Sequence, residues 1–579
     1  MTARRLLTET VPVPQAIAQV LEEGGVKFVF GMPGGRTIPI YDALYDRKST
    51  IRTVLAREEG LAAVMADAHG RLTGTPAVAM GQAAFMLTNS GMGIVEAYLA
   101  GSPMLVIADL SDGFPFTQHG PYQSGTGDFG SWDARDVIRG YTKQVFVARD
   151  AASAVQSTQL ALKHATTGQP GPVALLFHST ALAGTVGPET TPRLYSTAGY
   201  LPERHGADLE AVSAAIEALA AASKPVILAG NGVRMSAAQA QLRELAELLG
   251  APVATTASGK GTFEETHPLA LGVFGNFGLE AANATVGDAD LILAVGTKLG
   301  PTDTANENPA LLDPERQVFL QIDIEPRHAA WSFPVQHALI GDAATVLGQL
   351  IDAAKQAELP GRTDGGQEVA EAHRAHASFR VTESESAARP ILPQRLIYDL
   401  GNAAPDGAII TCDAGENRLF MMHHFRTKGT MEYLQPAAVG GMGYAVPAAL
   451  AAKLVHPERA VMAVCGDGGF GIALNGLLTA IEEQINIVTV VLNNSALGWV
   501  RHGQGDRPIA SSFHAFDYAE IARAMGCEAF RVEDAADITP SIEKALACGR
   551  PAVVEVITDL AAATFRDVSS PLAAYPPRR

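Results

Sequence analysis

The residues best suited to chemistry lie within the stretch 461–498, where two polar side chains each follow an apolar run. Asp467 stands in the tight turn 466–469 after the first run, and Asn494 follows the second run. A helical stretch separates the runs, so we predict a strand–helix–strand unit with both residues at carboxyl ends of parallel strands, where open sheets bind ligands. A carboxylate, an amide oxygen and the backbone carbonyl of Ala496 are oxygen ligands that suit Mg²⁺.

The glycines of this turn let a backbone approach a diphosphate, since no Cβ stands in the way. Gly466, Gly468 and Gly469 are therefore candidate cofactor-binding residues. The same residues also fit an ordinary turn, because Asp-Gly and Asn-Asn pairs are common in loops. The full strand–helix–strand spacing between Asp467 and Asn494 favours the functional interpretation.

Gly-Asp-Gly followed by a helix, a strand and Asn-Asn resembles the signature of thiamine diphosphate (ThDP) enzymes, and the stretch 439–470 resembles the acetolactate synthase and pyruvate oxidase branch. The likeness runs along nearly the whole chain, in which strand and helix patterns alternate. It implies an α/β fold of three doubly wound parallel-sheet domains. We expect a pyrimidine-binding domain at 1–185, a central domain at 205–352 that is either a scaffold or FAD-binding-like, and a diphosphate- and Mg²⁺-binding domain at 391–579. The polar segment 353–390 is predicted to be a linker.

The resemblance assigns roles in the first domain. Glu59 matches the glutamate that contacts the pyrimidine ring of ThDP and promotes its imino tautomer, and Gln123 matches a glutamine that relatives place near the reactive carbon. His119 lies in the same polar loop as Gln123 and is a further candidate, although either side chain could simply be solvated. The chain departs from the pattern twice. Glu58 stands where relatives often have histidine, and the stretch 84–86 (Ala-Phe-Met) replaces a usual Gly-Pro-Gly, so Phe85 is either a pocket residue or part of the core.

The third domain carries two further loops that resemble cofactor-binding ones. Gly415, Glu416 and Asn417 match the loop that holds the diphosphate oxygens, and Gly440 would offer its carbonyl to the 4′-amino group. Met442 would be the large apolar residue that bends the cofactor, although methionine is also a common core filler. Two residues after the metal asparagine that could face the substrate are Trp499 and His502.

The central domain leaves FAD as an open possibility. Gly230-Asn231-Gly232 after a strand is an incomplete form of the dinucleotide loop, without the full glycine pattern or an acidic partner at the expected spacing. Lys298 stands where FAD-binding relatives have arginine, and lysine cannot make the two-pronged contact of a guanidinium.

Composition restricts the remaining classes. The chain of 579 residues has 43 Lys and Arg against 61 Asp and Glu, a net charge of −18, which argues against a nucleic-acid partner. Its four cysteines lack metal-binding spacing and indicate free thiols in a reducing compartment. Neither a secretory signal nor a membrane-length apolar run is evident, so we expect a cytoplasmic protein.

The resemblance implies a ThDP- and Mg²⁺-dependent enzyme that decarboxylates a 2-oxo acid with carboligation, like acetolactate synthase. Alternatives within this chemistry are a decarboxylase, or a lyase acting on 2-hydroxy ketones or 2-hydroxyacyl-CoA. A flavin-dependent oxidoreductase and a non-catalytic ThDP-binding protein are alternatives from other classes. Because the pyrimidine and diphosphate halves meet across subunits in the family, the resemblance also implies a homodimer or homotetramer with active sites at the subunit interface.

Overall fold

The computed structural model describes residues 4–112, 122–379 and 382–562. Over these residues, strands and helices alternate and build three six-stranded sheets and one two-stranded sheet. Every strand pair within the six-stranded sheets is parallel. The predicted fold class, α/β with three doubly wound parallel sheets, is confirmed.

The first sheet and its helices come from the first third of the chain. Its strands are β2 (Phe28–Gly31), β3 (Arg52–Leu55), β4 (Ala77–Gly81), β5 (Met104–Asp109), β6 (Gln144–Ala148) and β7 (Pro172–Phe177), while β1 (Val11–Pro12) and β8 (Thr185–Val186) form the small antiparallel sheet. The helices are α1 (Val13–Glu23), α2 (Ile38–Tyr45), α3 (Glu59–Thr73), α4 (Ala83–Asn89), α5 (Gly91–Ala100), α6 (Ala134–Arg139), α7 (Ala151–Thr166) and α8 (Ser179–Leu182).

The second sheet follows in the middle of the chain. Its strands are β9 (Pro225–Ala229), β10 (Val253–Thr255), β11 (Ala270–Val273), β12 (Leu291–Val295), β13 (Val318–Asp323) and β14 (His337–Ile340). The helices are α9 (Leu209–Ala221), α10 (Asn231–Met235), α11 (Gln239–Leu249), α12 (Glu280–Asp288), α13 (Ala343–Gln356) and α14 (Gly365–Ala375). The expectation that 353–390 is a plain linker was wrong, because α14 lies within it and buries Val369 in the core of this region.

The third sheet carries the stretch from which the sequence analysis began. Its strands are β15 (Ile409–Cys412), β16 (Glu432–Leu434), β17 (Val461–Gly466), β18 (Val488–Asn493), β19 (Glu528–Val532) and β20 (Ala552–Ile557). The helices are α15 (Pro393–Ala403), α16 (Glu416–His424), α17 (Ala445–Val455), α18 (Asp467–Ile472), α19 (Gly476–Glu482), α20 (Gly498–Gly503), α21 (Tyr518–Ala524) and α22 (Ile538–Ala547). Residues 461–465 and all of β18 are buried, as expected for parallel strands covered by helices on both faces.

The strand orders divide the sheets into two kinds. The first sheet has the order β3-β2-β4-β5-β7-β6 and the third has β16-β15-β17-β18-β20-β19, which is the same order when strands are numbered within each sheet. The central sheet has β11-β10-β9-β12-β13-β14, the order typical of dinucleotide-binding domains. In the third sheet, β16 is added on one side of β15 and β17 on the other, so the strand order reverses between β15 and β17. Ligand binding is expected at such a switch point, where these two strands end.

The described part of the chain also separates into two compact units. The first contains the residues up to Glu203 together with Leu450–Val455 and Leu478–Ile485, and the second contains the remainder. The central and third sheets therefore belong to the same unit. Among the described residues, no helix is long and apolar enough to cross a membrane.

Candidate active site

A cavity of about 290 Å³ opens at the switch point of the third sheet. Every residue predicted to bind the metal or the cofactor lines it: Gly415, Glu416, Asn417, Gly440, Met442, Gly466, Asp467, Gly468, Gly469, Asn494 and Ala496. The structure thus brings together, in one unit, loops that are up to about eighty residues apart in sequence. Their individual roles stay predictions.

Asp467 is the first residue of α18 and is almost completely buried at the cavity wall. Its Oδ1 accepts a hydrogen bond from the backbone N–H of Gly468 at 2.9 Å, whereas its Oδ2 is buried and has no hydrogen-bond partner among the described residues. Burial raises the pKa of Asp467 to about 6, against the opposing effect of backbone N–H groups that include those of Ser495 and Ala496. A buried carboxylate oxygen without a partner is costly unless a ligand completes it, so this side chain fits a metal ligand.

The two residues of the Asn493-Asn494 pair make different contacts: Asn493 stabilises the end of β18, and Asn494 lines the cavity. Asn493 is buried and donates to Glu555 Oε1 at 2.6 Å, which anchors the end of β18. Asn494 Oδ1 accepts from the backbone N–H of Ala496 at 3.1 Å, and a left-handed Ser495 (φ 55°) makes this tight turn. An amide oxygen has two lone pairs, so Asn494 Oδ1 can still accept a cation. Among the described residues no group of three His, Cys, Asp or Glu side chains could hold a metal, so a metal here would use mixed oxygen ligands.

Asp413 is a residue whose role the sequence analysis missed. It is buried, and its carboxylate accepts from the backbone N–H groups of Ala414 (2.9 Å), Gly443 (3.0 Å) and Tyr444 (3.1 Å). A Cβ on Gly469 would lie 2.2 Å from Asp413 Oδ2, so this position tolerates only glycine. Asp413 therefore fixes the last glycine of the turn 466–469 and the loop before α17 against each other. Burial raises the pKa of Asp413 to about 6.

Glu416 and Asn417 open helix α16 beside the cavity. Asn417 Nδ2 donates to the carbonyl of Asp413 at 3.1 Å, which closes the loop between β15 and the helix. Glu416 lies 2.7 Å from His502 Nδ1, and the other ring nitrogen of His502 lies 2.6 Å from the carbonyl of Leu560. Because a carbonyl can only accept, Nε2 of His502 carries a proton. Burial raises the pKa of Glu416, and the neighbouring His502 opposes that rise.

The loop from 437 to 443 forms another wall. Gly440 takes a left-handed conformation (φ 75°) that a side chain rarely adopts, and both Gly440 and Met442 line the cavity. Met442 is only half-buried. Its position on the cavity wall favours the cofactor-contacting interpretation over that of core filler.

Three more residues line the cavity on the side of the central sheet. Trp499 was a candidate from sequence, whereas Phe277 and Arg418 were not. The rings of Phe277 and Trp499 meet edge to face with centroids 6.1 Å apart, and the Arg418 guanidinium lies 5.9 Å from the Phe277 centroid. Arg418 follows two predicted site residues directly, so its position could have been noticed. Phe277 carries no local signal, because it comes from a distant part of the chain.

Glu59 lies in the other unit, at the start of α3. Glu58 caps this helix by accepting from the N–H of Leu61 at 3.0 Å, and this capping turns the next residue inward. Glu59 is buried, and its Oε2 accepts from Asn89 Nδ2 at 3.3 Å. Asn89 is a second neighbour that sequence reasoning did not identify. Phe85, on the same helix as Asn89, is 45% exposed and is not part of the core.

Of the two loop candidates, Gln123 and His119, only Gln123 lies among the described residues. Gln123 has a left-handed backbone (φ 71°), and its Oε1 is buried without a hydrogen-bond partner among the described residues. Its carbonyl accepts from Trp132 Nε1 at 3.1 Å, which fixes the loop. His119 lies outside the described residues.

The central domain uses its glycine turn for packing. The N–H of Gly230 donates to the carbonyl of Val295 at 2.9 Å, and that of Gly232 donates to the carbonyl of Gly296 at 3.0 Å. A Cβ on Gly230 would lie 2.4 Å from the Gly296 carbonyl. These two amides are thus engaged within the protein and are not available to the diphosphate of a dinucleotide.

The fold and the cavity define an α/β protein with a candidate ligand site at a topological switch point, bordered by glycine turns and by a buried acid with one oxygen that no described residue contacts by a hydrogen bond. Comparison with known proteins agrees in all three regions. Residues 12–118 match the N-terminal TPP-binding domain of thiamine pyrophosphate enzymes, residues 212–350 match their central domain, and residues 413–556 match their C-terminal TPP-binding domain.

Similar proteins cover almost the whole chain. A probable acetolactate synthase large subunit of Methanocaldococcus jannaschii is 32% identical over 95% of this chain and 92% of its own length. An acetolactate synthase of Mycobacterium bovis is 30% identical over 94% and 87%, and the acetolactate synthase isozyme 3 large subunit of Escherichia coli is 30% identical over 92% of each. The chain belongs to the thiamine diphosphate-dependent enzymes, in the acetolactate synthase branch.

Proposed function

We propose that the chain is a ThDP- and Mg²⁺-dependent enzyme that decarboxylates a 2-oxo acid and joins the acyl fragment to a second carbonyl compound, as acetolactate synthase does. The observation that carries the proposal is Oδ2 of Asp467, which is buried without a hydrogen-bond partner in the described part of the chain and lines one cavity with Asn494, Gly415 and Gly440. When bound, ThDP supplies the electron sink that decarboxylation of a 2-oxo acid requires.

The residues of the third domain have separate tasks in this proposal. Asp467, Asn494 and the carbonyl of Ala496 hold Mg²⁺, which neutralises the diphosphate. The N-terminus of α16 at Glu416 is suited to the same anionic group, because helix N-termini attract negative charge. Met442 limits the shape that the cofactor can take. Carboxylate and carbonyl donors are the hard ligands that suit Mg²⁺ better than a softer metal.

Glu59 has the task of proton control. Its burial and its hydrogen bond from Asn89 hold the carboxyl in one orientation, as a group that exchanges a proton with the pyrimidine ring must be held. Gln123 is the further polar candidate near the substrate, because its Oε1 is buried and no residue within 4–112, 122–379 or 382–562 donates a hydrogen bond to it.

We propose a homodimer or homotetramer in which Glu59 of the partner subunit serves the cavity described above. Complementation tests this arrangement. E59Q and D467N are each expected to be inactive, and unfolding and refolding them together at equal ratio should restore about a quarter of the wild-type activity, since half of the dimers are mixed and each has one intact site. If the two variants refolded together at equal ratio regain no activity, Glu59 and Asp467 serve the same site from one chain.

We propose that the central domain is a scaffold rather than an FAD-binding domain. The engaged amides of Gly230 and Gly232 support this, and so does Arg234, which is buried and links the central and third domains through Glu432 Oε2 at 3.0 Å and the carbonyl of Tyr433 at 3.0 Å. A purified protein without flavin absorbance near 450 nm is expected. A yellow protein that releases flavin on denaturation would contradict the scaffold role and return the flavin-dependent oxidoreductase to consideration.

Product analysis with pyruvate tests the reaction itself. Acetolactate formed only in the presence of ThDP and Mg²⁺, and lost on addition of a chelator, supports the synthase. Acetaldehyde would indicate a decarboxylase instead. Neither product would point to another donor, and a panel of 2-oxo acids and 2-hydroxy ketones would then separate a synthase from a lyase. We also propose a cytoplasmic location, which the four free cysteines support.

A further inference from the structure

Arg418 places a positive charge at the cavity wall. It lies in the first turn of α16, directly after Asn417, and is half-buried. A Cβ on Gly440 would lie 3.8 Å from Arg418 Nη1, so the guanidinium reaches the loop that carries Met442. It lies next to Phe277 of the central domain, which also lines the cavity.

Within the described part of the chain, the guanidinium uses few of its N–H donors. Nη1 donates to the carbonyl of Pro436 at 3.2 Å, and Nε is buried without a hydrogen-bond partner among the described residues. Within those residues no carboxylate forms an ion pair with it. Two acids are near in sequence. The charge of Arg418 opposes the rise in the pKa of Asp413, but the oxygens of Asp413 accept from three backbone N–H groups, and Glu416 contacts His502.

Aromatic rings hold the guanidinium in place. The Phe277 ring lies 5.9 Å from the guanidinium carbon, within the range of a cation–π contact, and Trp499 packs edge to face against Phe277. This apolar wall lowers the local dielectric, so an anion that meets the guanidinium there is bound more strongly than it would be in water. Planar N–H donors on one side of an arginine match the two oxygens of a carboxylate.

We propose that Arg418 recognises the carboxylate of the organic acid substrate. The inference rests on the proposed function for the substrate class, a 2-oxo acid, and deepens it by naming the group that selects the acid. The diphosphate of the cofactor is the other anion that enters this cavity. The proposed function assigns that diphosphate to Mg²⁺ and the glycine turns, whereas the aromatic wall beside Arg418 suits a small organic acid.

Equilibrium binding separates the two anions without depending on turnover. Oxamate, an unreactive carboxylate with the shape of pyruvate, and its neutral ethyl ester are titrated against enzyme loaded with ThDP and Mg²⁺. For R418Q we expect oxamate affinity to fall about 10- to 100-fold, the usual loss for a hydrogen bond to a charged group. Affinities for ethyl oxamate and for ThDP should stay within about twofold.

Two variants serve as controls. In R426Q the lost arginine also stacks on a phenylalanine, Phe379 at 5.2 Å, and donates to a backbone carbonyl, that of Glu265 at 2.7 Å, but Arg426 is outside the cavity lining. It should bind oxamate like the wild type. R418K keeps the charge without the planar fork and should fall between the wild type and R418Q. Thermal unfolding midpoints report whether each variant is folded.

Three results would overturn the assignment. They are an oxamate affinity in R418Q within twofold of the wild type, a wild type that does not prefer oxamate to its ester, and a loss confined to ThDP affinity, which would assign the guanidinium to the cofactor. Failure of the proposed function looks different. A wild type that selects oxamate through Arg418 yet forms no acetolactate from pyruvate would refute the synthase and leave the carboxylate site standing.

Discussion

Two buried carboxylates beside the cavity should respond in opposite ways to the same substitution. Asp467 has one oxygen that accepts no hydrogen bond from the residues the structure describes, whereas both oxygens of Asp413 accept hydrogen bonds. Burying an unpartnered polar group costs about 1–3 kcal/mol, and more when it is charged. In ligand-free protein, D467N replaces a carboxylate that has one unpartnered oxygen among the described residues by a neutral amide of the same shape, and should leave the free energy of unfolding unchanged or raise it by about that amount.

The effect should reverse when ligands are present. A ligand at about a thousand times its dissociation constant stabilises the protein by about 4 kcal/mol. D467N removes the single carboxylate of the predicted metal site, so most of this gain should disappear. The same substitution at Asp413 should lower the free energy of unfolding by about 1–3 kcal/mol with or without ligands, because the new amide N–H₂ must face a backbone N–H donor.

The assay is denaturant unfolding of wild type, D467N and D413N, each without and with Mg²⁺ and ThDP, together with a ThDP titration. We expect D467N to be as stable as the wild type without ligands but to gain little stability from them. We expect D413N to be less stable than the wild type in both conditions. If D467N loses as much stability as D413N without ligands, the Oδ2 of Asp467 has a stabilising partner in the ligand-free protein, and the reasoning is refuted. If D467N keeps the full gain with ligands, Asp467 is not a metal ligand.

Two further predictions concern helix α3. E59Q should bind ThDP within about twofold of wild type, since the amide keeps the shape and the contact region of Asn89, but should slow proton exchange at the cofactor C2, followed by NMR in D₂O, by about 10²–10⁴-fold. E58Q, which changes the half-buried cap residue, is the control, and a normal exchange rate in E59Q would exclude the acid's role. His69 is buried in the same helix against Phe28, and burial lowers its pKa from 6.5 to about 4, so the folded state resists protonation and stability should fall as pH drops from 6.5 to 4, by about 3 kcal/mol in total. H69N should remove that part of the acid sensitivity between pH 7.5 and 5, and an unchanged pH profile of thermal unfolding would refute it.

Local patterns carried much of the site. The turn at 466–469 and the strand ending at Asn493 were readable because a buried parallel strand is a continuous apolar run and its carboxyl end is marked by polar residues. The same reasoning placed Glu416 and Asn417 after β15. Each of these signals lies within a few residues of a strand end.

The remaining features depend on contacts between distant segments. Phe277 reaches the cavity from the central domain, and His502 meets Glu416 across 86 residues of sequence. The role of Gly469 was assigned to cofactor approach, but its missing Cβ is also required by Asp413. Hydrophobic periodicity predicts individual strands but not their order in a sheet. The dinucleotide-type order of the central sheet therefore could not be inferred from the incomplete motif at Gly230-Asn231-Gly232.

The first and third sheets share one strand order, but different residues follow the corresponding strands. Each sheet therefore supplies a different part of the predicted site. In both, the switch point lies between the first and third strands, yet the third strand is followed by Asp467 in one and by Gln82 in the other. An amide cannot supply the charge that a divalent cation requires, so only the third sheet offers a metal site there. The first sheet instead presents its acid after its second strand, as Glu59. Two copies of one topology thus bear complementary chemistry, which is the arrangement that an oligomer with shared sites needs, and the complementation of E59Q by D467N tests that consequence directly.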